Sequence, residues 1–90
     1  MQIEHNEESK TFFLDGENKE LATMTYVIEE NKLVIEHTYV DKSLRGQNVG
    51  IKLINAGVEF ARDNALKIVP ECTYAKKILE ESDKYKDVLA

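Results

Sequence analysis

The chain passes from strand to helix within one segment, Val40-Asp41-Lys42-Ser43-Leu44-Arg45-Gly46-Gln47-Asn48-Val49-Gly50. The first backbone N–H groups of a helix have no partners inside it, and the helix dipole places partial positive charge there. A phosphate group is therefore stabilised at this end of the helix. Gly46 and Gly50 carry no side chain, so the backbone can approach a ligand closely at both positions. The segment predicts an anion-binding loop.

Before this segment, apolar and polar residues alternate as they do in β-strands. The predicted strands are Lys10 to Leu14, Glu20 to Glu29 and Lys32 to Val40, with turns at Asp15 to Asn18 and at Glu30-Asn31. In the third strand one face is expected to hold Leu33, Ile35, His37 and Tyr39. The N-terminal residues, including His5, are expected to fray and to have no role.

After this segment the apolar period changes to that of amphipathic helices. Helices are predicted over Val49 to Asp63 and Tyr74 to Glu81, with a short strand from Leu66 to Val69 that ends at Pro70 and a tail whose Tyr85, Val88 and Leu89 pack back. This order predicts an α+β fold, a mostly antiparallel twisted sheet with helices packed on it. With 90 residues, one domain spanning residues 1–90 is expected.

Net charge, apolar runs and cysteine content argue against several classes of protein and site. The formal net charge of -5 argues against a nucleic-acid binder, which needs a basic surface. No apolar run reaches bilayer length and the first residues do not resemble a signal peptide, so a cytoplasmic protein without a membrane partner is expected. Cys72 is the only cysteine, which excludes an internal disulfide, and no metal site is predicted. A monomer or a weak homodimer is expected.

The hexapeptide Arg45-Gly46-Gln47-Asn48-Val49-Gly50 resembles the acetyl-CoA signature of the GNAT acetyltransferase superfamily. Asn48 stands where that family usually has a glycine, and Asn tolerates left-handed backbone angles better than most residues. Four further motifs, in the same order as in a compact GNAT subfamily, are His37-Thr38, Ala61-Arg62, Lys67 to Pro70 and Cys72-x-Tyr74. The resemblance spans Phe13 to Leu89. It departs at Ser82 to Tyr85, where many relatives read His-Pro-Glu-Tyr.

The resemblance implies an N-acetyltransferase that binds acetyl-CoA (coenzyme A) and an unidentified amine acceptor. The pantetheine arm would lie along the strand from His37 to Val40, the pyrophosphate at Gln47 to Gly50, and the thioester near Cys72. The cofactor-binding residues it implies are Thr38, Tyr39, Val40, Arg45, Gly46, Gln47, Asn48, Val49, Gly50 and Tyr74.

Cys72 and His37 are the candidate catalytic residues. A thiol near a helix N-terminus has a lowered pKa, so Cys72 is either an acetyl carrier, a residue beside CoA during direct attack by the amine, or a buried structural thiol. His37 is either a general base or a core histidine, and Glu36 or a water are further candidate bases. Two other functions stay open: a CoA-binding module with little transferase activity, and an interaction domain that has lost the cofactor.

Overall fold

The computed structural model describes residues 2–90, which form one five-stranded sheet and two α-helices. The elements are β1 (Glu4–Asn6), β2 (Thr11–Asp15), β3 (Glu20–Glu29), β4 (Lys32–Val40), α1 (Val49–Asp63), β5 (Lys67–Pro70) and α2 (Thr73–Glu81), with 3₁₀ turns at Lys42–Leu44 and Asp83–Tyr85. The strands lie in chain order; neighbours pair antiparallel, except β4 and β5, which are parallel. The predicted α+β fold with a mostly antiparallel sheet is confirmed.

Strand β1 was not predicted, and the expectation that its residues fray is wrong. β1 pairs with β2, with His5 opposite Phe12. The His5 ring stacks on the Phe12 ring at 4.0 Å between centroids, and its Nε2 is 2.6 Å from the Tyr26 hydroxyl. These contacts hold β1 on the sheet.

Both helices pack on one face of the sheet. The strands contribute alternate residues to the core, which are Phe12, Leu14, Ala22, Met24, Tyr26, Leu33, Ile35 and Ile68. Gly57 brings α1 close to the sheet, because a Cβ there would lie 2.8 Å from Cε of Met24. Leu79 of α2 and Tyr85 and Val88 of the C-terminal segment complete the same core. The predicted packing of the tail is confirmed.

A β-bulge divides β4 into two halves. Ile35 lies opposite Tyr26 and His37 lies opposite Thr25, so Glu36 is an extra residue without its own partner. Beyond the bulge the alternation is reversed, which turns Thr38 toward the helices and leaves His37 exposed on the other face. The prediction that His37 shares a face with Leu33 and Ile35 is therefore wrong.

The fourth and fifth strands part at this bulge. β4 pairs with β5 only from Lys32 to Ile35. The N–H groups of Glu71 and Cys72 then donate to the Ile35 carbonyl at 3.0 and 3.2 Å, and the chain turns into α2. Within residues 2–90 no other strand pairs with this edge of β4. A wedge opens between the end of β4 and the start of α2.

Candidate functional site

A cleft of about 380 Å³ lies between the end of β4, the start of α1 and the start of α2. Among the predicted cofactor-binding residues, those that line it are Thr38, Val40, Arg45, Gly46, Asn48, Val49, Gly50 and Tyr74. The strand–loop–helix segment and the Cys72-x-Tyr74 motif thus meet at one place, although Tyr74 lies 24 positions after Gly50 in the chain.

The loop from Arg45 to Gly50 turns through two left-handed residues. Gly46 has φ +83°, and a Cβ built on it would have no atom within 4 Å. Glycine is therefore needed here for its backbone angle, because there is room for a side chain. Asn48, the N-cap of α1, has φ +59° and ψ +28°. Asn48 therefore adopts the left-handed conformation that Asn tolerates better than most residues.

The backbone N–H groups at the start of α1 are free to bind an anion. Within the loop, the N–H of Arg45 donates to the Lys42 carbonyl and the N–H of Gln47 to the Leu44 carbonyl, both at 3.2 Å. The N–H groups of residues 49–51 have no acceptor in residues 2–90. The first turn of α1 also contains no acidic residue. Its partial positive charge is therefore available to a phosphate.

Gly50 lies directly under the ring of Tyr74. A Cβ at position 50 would collide with the Tyr74 hydroxyl oxygen and lie 2.8 Å from Cζ. Only glycine therefore lets this ring lie against the first turn of α1. The sequence suggested that Gly50 admits a ligand, whereas here it also accommodates an aromatic side chain that lines the same cleft.

Cys72 is half-buried at the N-cap of α2, beside the cleft. Its Sγ is 3.4 Å from Oγ1 of Thr38, which lines the cleft. Burial raises the pKa of the thiol, but the Thr38 hydroxyl and the backbone N–H groups of Ala75 and Tyr74 lower that pKa by more. Burial and the nearby Cys72 charge raise the pKa of the Tyr74 phenol. The lowered pKa increases the thiolate fraction of Cys72, and the raised pKa keeps the Tyr74 phenol neutral at neutral pH.

Three of the predicted site residues lie away from this cleft. His37 and Tyr39 are exposed on the sheet face that carries no helix, and the Tyr39 hydroxyl donates to Asp41 at 3.2 Å. Gln47 is exposed, and its N–H is already bonded within the loop. A role for these residues in binding or catalysis stays a prediction.

Leu44 and Ile51 line the cleft but were not predicted. Ile51 lies at the edge of the helix stripe formed by Leu53, Ile54 and Val58, because it precedes Val58 by seven residues and so shares nearly the same face. Its position in the helical period therefore gave no signal that it lines a ligand site. Leu44 is buried and gave no such signal either, because a core role explains it equally well.

Two further features of the described residues concern metal binding and membrane crossing. In residues 2–90 no three His, Cys, Asp or Glu side chains gather where a metal ion would be held. Over the same residues, neither α-helix has the length and apolar character needed to cross a bilayer.

The five-stranded sheet, its parted strands and the two helices form the fold of the GNAT N-acetyltransferases. Residues 11–88 match the family model of the GCN5-related N-acetyl-transferases. The chain belongs to this family.

Known proteins that resemble the chain agree with this assignment. The NMR structure of a GCN5-like protein from Staphylococcus aureus superposes with a TM-score of 0.81 and 43% identity, over 99% of this chain and 87% of that one. The ribosomal-protein-S18-alanine N-acetyltransferase of Escherichia coli shares the fold alone, with a TM-score of 0.65 and 14% identity over 79% of this chain and 49% of that one. Protein NATD1 of Danio rerio is 23% identical over 91% of this chain and 76% of its own length.

Proposed function

We propose that the protein is an acetyl-CoA-dependent N-acetyltransferase that acts on an amine acceptor. The observation that carries this proposal is the position of the free N–H groups of residues 49–51 next to the unpaired edge of β4. The free N–H groups suit a pyrophosphate, and the unpaired strand edge suits an extended chain of amides. Both groups are parts of CoA that a protein can hold through its backbone. Family membership supports the transferase reaction.

In this proposal the pyrophosphate binds at the start of α1, with the Arg45 guanidinium as a further phosphate partner. The amides of the pantetheine arm pair with the edge of β4 between residues 36 and 40, as an added strand would. Thr38 and Val40, whose side chains line the cleft, then face the arm. The thioester end lies toward Cys72, which Thr38 joins to the cleft.

When bound, acetyl-CoA supplies the activated acetyl group. The acceptor nitrogen forms a bond to the thioester carbonyl carbon, the C–S bond breaks so that CoA leaves as its thiolate, and the nitrogen gives its proton to a base or a water. The lowered pKa of Cys72 supports a route in which its thiolate first takes the acetyl group and then passes it to the amine. Direct attack by the amine on acetyl-CoA is the other route. His37 and Glu36 stay candidate bases.

A second candidate function is a CoA-binding module with little transferase activity. The observation that favours it is the exposure of His37 on the far face of the sheet, because no histidine then lines the cleft within residues 2–90. Such a module would bind acetyl-CoA without acetylating amines. Under either proposal the chain acts as one domain in the cytoplasm, as a monomer or weak homodimer, without nucleic acid.

Ile51 offers a direct test of the cofactor site. An Asp in the first turn of a helix is favourable for the helix, so Ile51→Asp should fold, but its carboxylate would occupy the free N–H groups and repel a phosphate. Ile51→Asn has nearly the same shape without the charge. Gly50 is less suitable, because any side chain there also displaces the Tyr74 ring.

The measurement is calorimetric titration of acetyl-CoA into the wild type and both variants. We expect saturable binding by the wild type, at least about tenfold weaker binding by Ile51→Asp, and a much smaller loss for Ile51→Asn. Equal losses in the two variants would place the pyrophosphate elsewhere. Absence of binding by the wild type would refute the acetyltransferase proposal, and binding without acetylation of an amine panel would favour the CoA-binding module.

A further inference from the structure

Asp41 lies at the junction between β4 and the loop, and its carboxylate has four hydrogen-bond partners. One oxygen accepts hydrogen bonds from the Ser43 N–H at 3.0 Å and the Ser43 hydroxyl at 2.6 Å. The other accepts from Lys19 Nζ at 3.1 Å and from the Tyr39 hydroxyl at 3.2 Å. The side chain is 13% exposed, whereas that of its ion-pair partner Lys19 is 64% exposed.

The backbone of Asp41 adds two further hydrogen bonds. Its N–H donates to the Leu21 carbonyl at 2.7 Å, and its carbonyl accepts from the Leu44 N–H at 3.0 Å. Residue 41 therefore joins the β2–β3 connection, the end of β4 and the 3₁₀ turn at Lys42–Leu44. The bonds from Ser43, with Lys19, hold the pKa of the carboxyl well below its usual range, so it stays charged at neutral pH.

This turn determines where the loop begins. Its last residue, Leu44, lines the cleft and accepts the Gln47 N–H, which bends the chain toward the two left-handed residues ahead of α1. Asp41 and its side-chain partners Lys19 and Ser43 do not line the cleft. Asp41 therefore does not touch a ligand in the cleft: it acts on one through the position of the loop, while its negative charge alone would oppose the binding of an anion.

We propose that Asp41 is a positioning residue for the loop Arg45–Gly50, which it holds ready for a pyrophosphate before any ligand arrives. This inference rests on the proposed function. A site whose donors are already in place loses less conformational entropy on binding, so loosening the loop weakens binding while the groups that touch the ligand remain. Tyr39 then serves the cofactor through Asp41, from the opposite face of the sheet.

Two variants of Asp41 and one control separate this role from general stability. Asp41→Ala removes every side-chain bond, whereas Asp41→Asn keeps one oxygen that can accept both bonds from Ser43 and loses the charge that pairs with Lys19. The control is Asp87→Asn, because Asp87 also forms an ion pair, with Arg62 at 2.8 and 2.9 Å, but at the far end of α1.

Amide hydrogen exchange by NMR, without ligand, is the first readout. We expect Asp41→Ala to speed exchange of the hydrogen-bonded N–H groups of Leu44, Arg45 and Gln47 at least about tenfold, Asp41→Asn to give an intermediate effect, and Asp87→Asn to leave these amides unchanged. Unchanged exchange in Asp41→Ala would overturn the inference whatever the ligand proves to be.

Calorimetric titration of acetyl-CoA is the second readout. We expect Asp41→Ala to bind about tenfold more weakly and Asp87→Asn to bind like the wild type. Where amines are acetylated, the KM for acetyl-CoA should rise while kcat is kept. Faster exchange with wild-type affinity would also overturn the inference. If the wild type binds no acetyl-CoA, the proposed function fails, and the exchange data alone decide whether Asp41 anchors the loop.

Discussion

The contact between Cys72 and Thr38 joins the start of α2 to the end of β4 across the parted strands. In residues 2–90 it is the one hydrogen bond between the Cys72 thiol and another side chain. Because Thr38 also lines the cleft, the hydroxyl stands between the thiol and the region proposed for the cofactor. The reactivity of Cys72 is therefore expected to depend on Thr38.

Replacing Thr38 with Val should raise the pKa of Cys72. The hydroxyl stabilises the thiolate, and Val has nearly the same shape without a donor, so the thiolate forms at higher pH in the variant. The measurement is the rate of alkylation of Cys72 by iodoacetamide as a function of pH, whose midpoint should move upward. Thr25→Val is the control, since the Thr25 hydroxyl is buried and has no partner in residues 2–90. Equal midpoints in wild type and Thr38→Val would contradict the assigned role.

Some properties of single residues could be predicted from the sequence and others could not. The left-handed Asn48 could be predicted because backbone strain depends on the residue itself. The faces of His37 and Thr38 could not, because the bulge at Glu36 is decided by strand pairing and not by the local pattern. The placement of Tyr74 over Gly50 depends on contacts between distant segments.

Among the elements, β1 depends on a small aromatic cluster. The His5 ring stacks on Phe12, meets Phe60 of α1 edge-on at 4.6 Å, and bonds with the buried Tyr26 hydroxyl. β1 has three residues, too few for an alternating pattern, so the sequence could not reveal it. By contrast, the predicted bounds of α1 agree with the structure, because 15 residues display the helical period fully.

The His5 contact predicts a pH-dependent stability. Burial lowers the pKa of His5, although Glu7 acts in the opposite direction, so the folded state favours the neutral ring. The unfolded chain then binds more protons just below pH about 6.5, and stability decreases as the pH falls through that region. His5→Phe keeps the stacked ring but does not titrate. We expect it to lose about 1 kcal/mol at pH 8 and progressively less, relative to wild type, toward pH 5.

Urea unfolding at several pH values would measure this difference. Other groups titrate over the same range, but they affect wild type and variant alike, so the difference between the two isolates His5. A difference that stays constant from pH 8 to pH 5 would show that His5 does not couple folding to protons.

The buried apolar side chains of residues 2–90 form one core, and the C-terminal residues belong to it. Tyr85 is 3% exposed, its hydroxyl donates to Oδ1 of Asn55 at 2.6 Å, and Val88 packs beside it. The N–H of Ile68 donates to the Val88 carbonyl, which adds the C-terminal segment to the edge at β5. The sequence predicted this packing from its apolar residues, whereas the bond to Asn55 depends on the docking of the segment against α1.

Two changes at Tyr85 measure how much this segment contributes. Tyr85→Phe loses one hydrogen bond and should cost about 1 kcal/mol. Tyr85→Ala also leaves a cavity in the core and should cost about 3–5 kcal/mol, a large part of the roughly 5–13 kcal/mol expected for a domain of this size. Thermal unfolding should show a decrease in Tm of about 4–8 °C for each kcal/mol. If the two variants have the same Tm, the C-terminal segment does not unfold with the core.

The extra residue in β4 has a consequence for anyone who aligns this chain with its relatives. Counting by twos from Leu33 assigns His37 and Tyr39 to the interior, whereas counting back from Val40 assigns Thr38 there, and the two counts disagree because of Glu36. An alignment that places a gap on the wrong side of Glu36 would compare cleft residues of one protein with solvent-facing residues of another. The register of β4 on each side of the bulge, and not its composition, decides which of its side chains line the cleft.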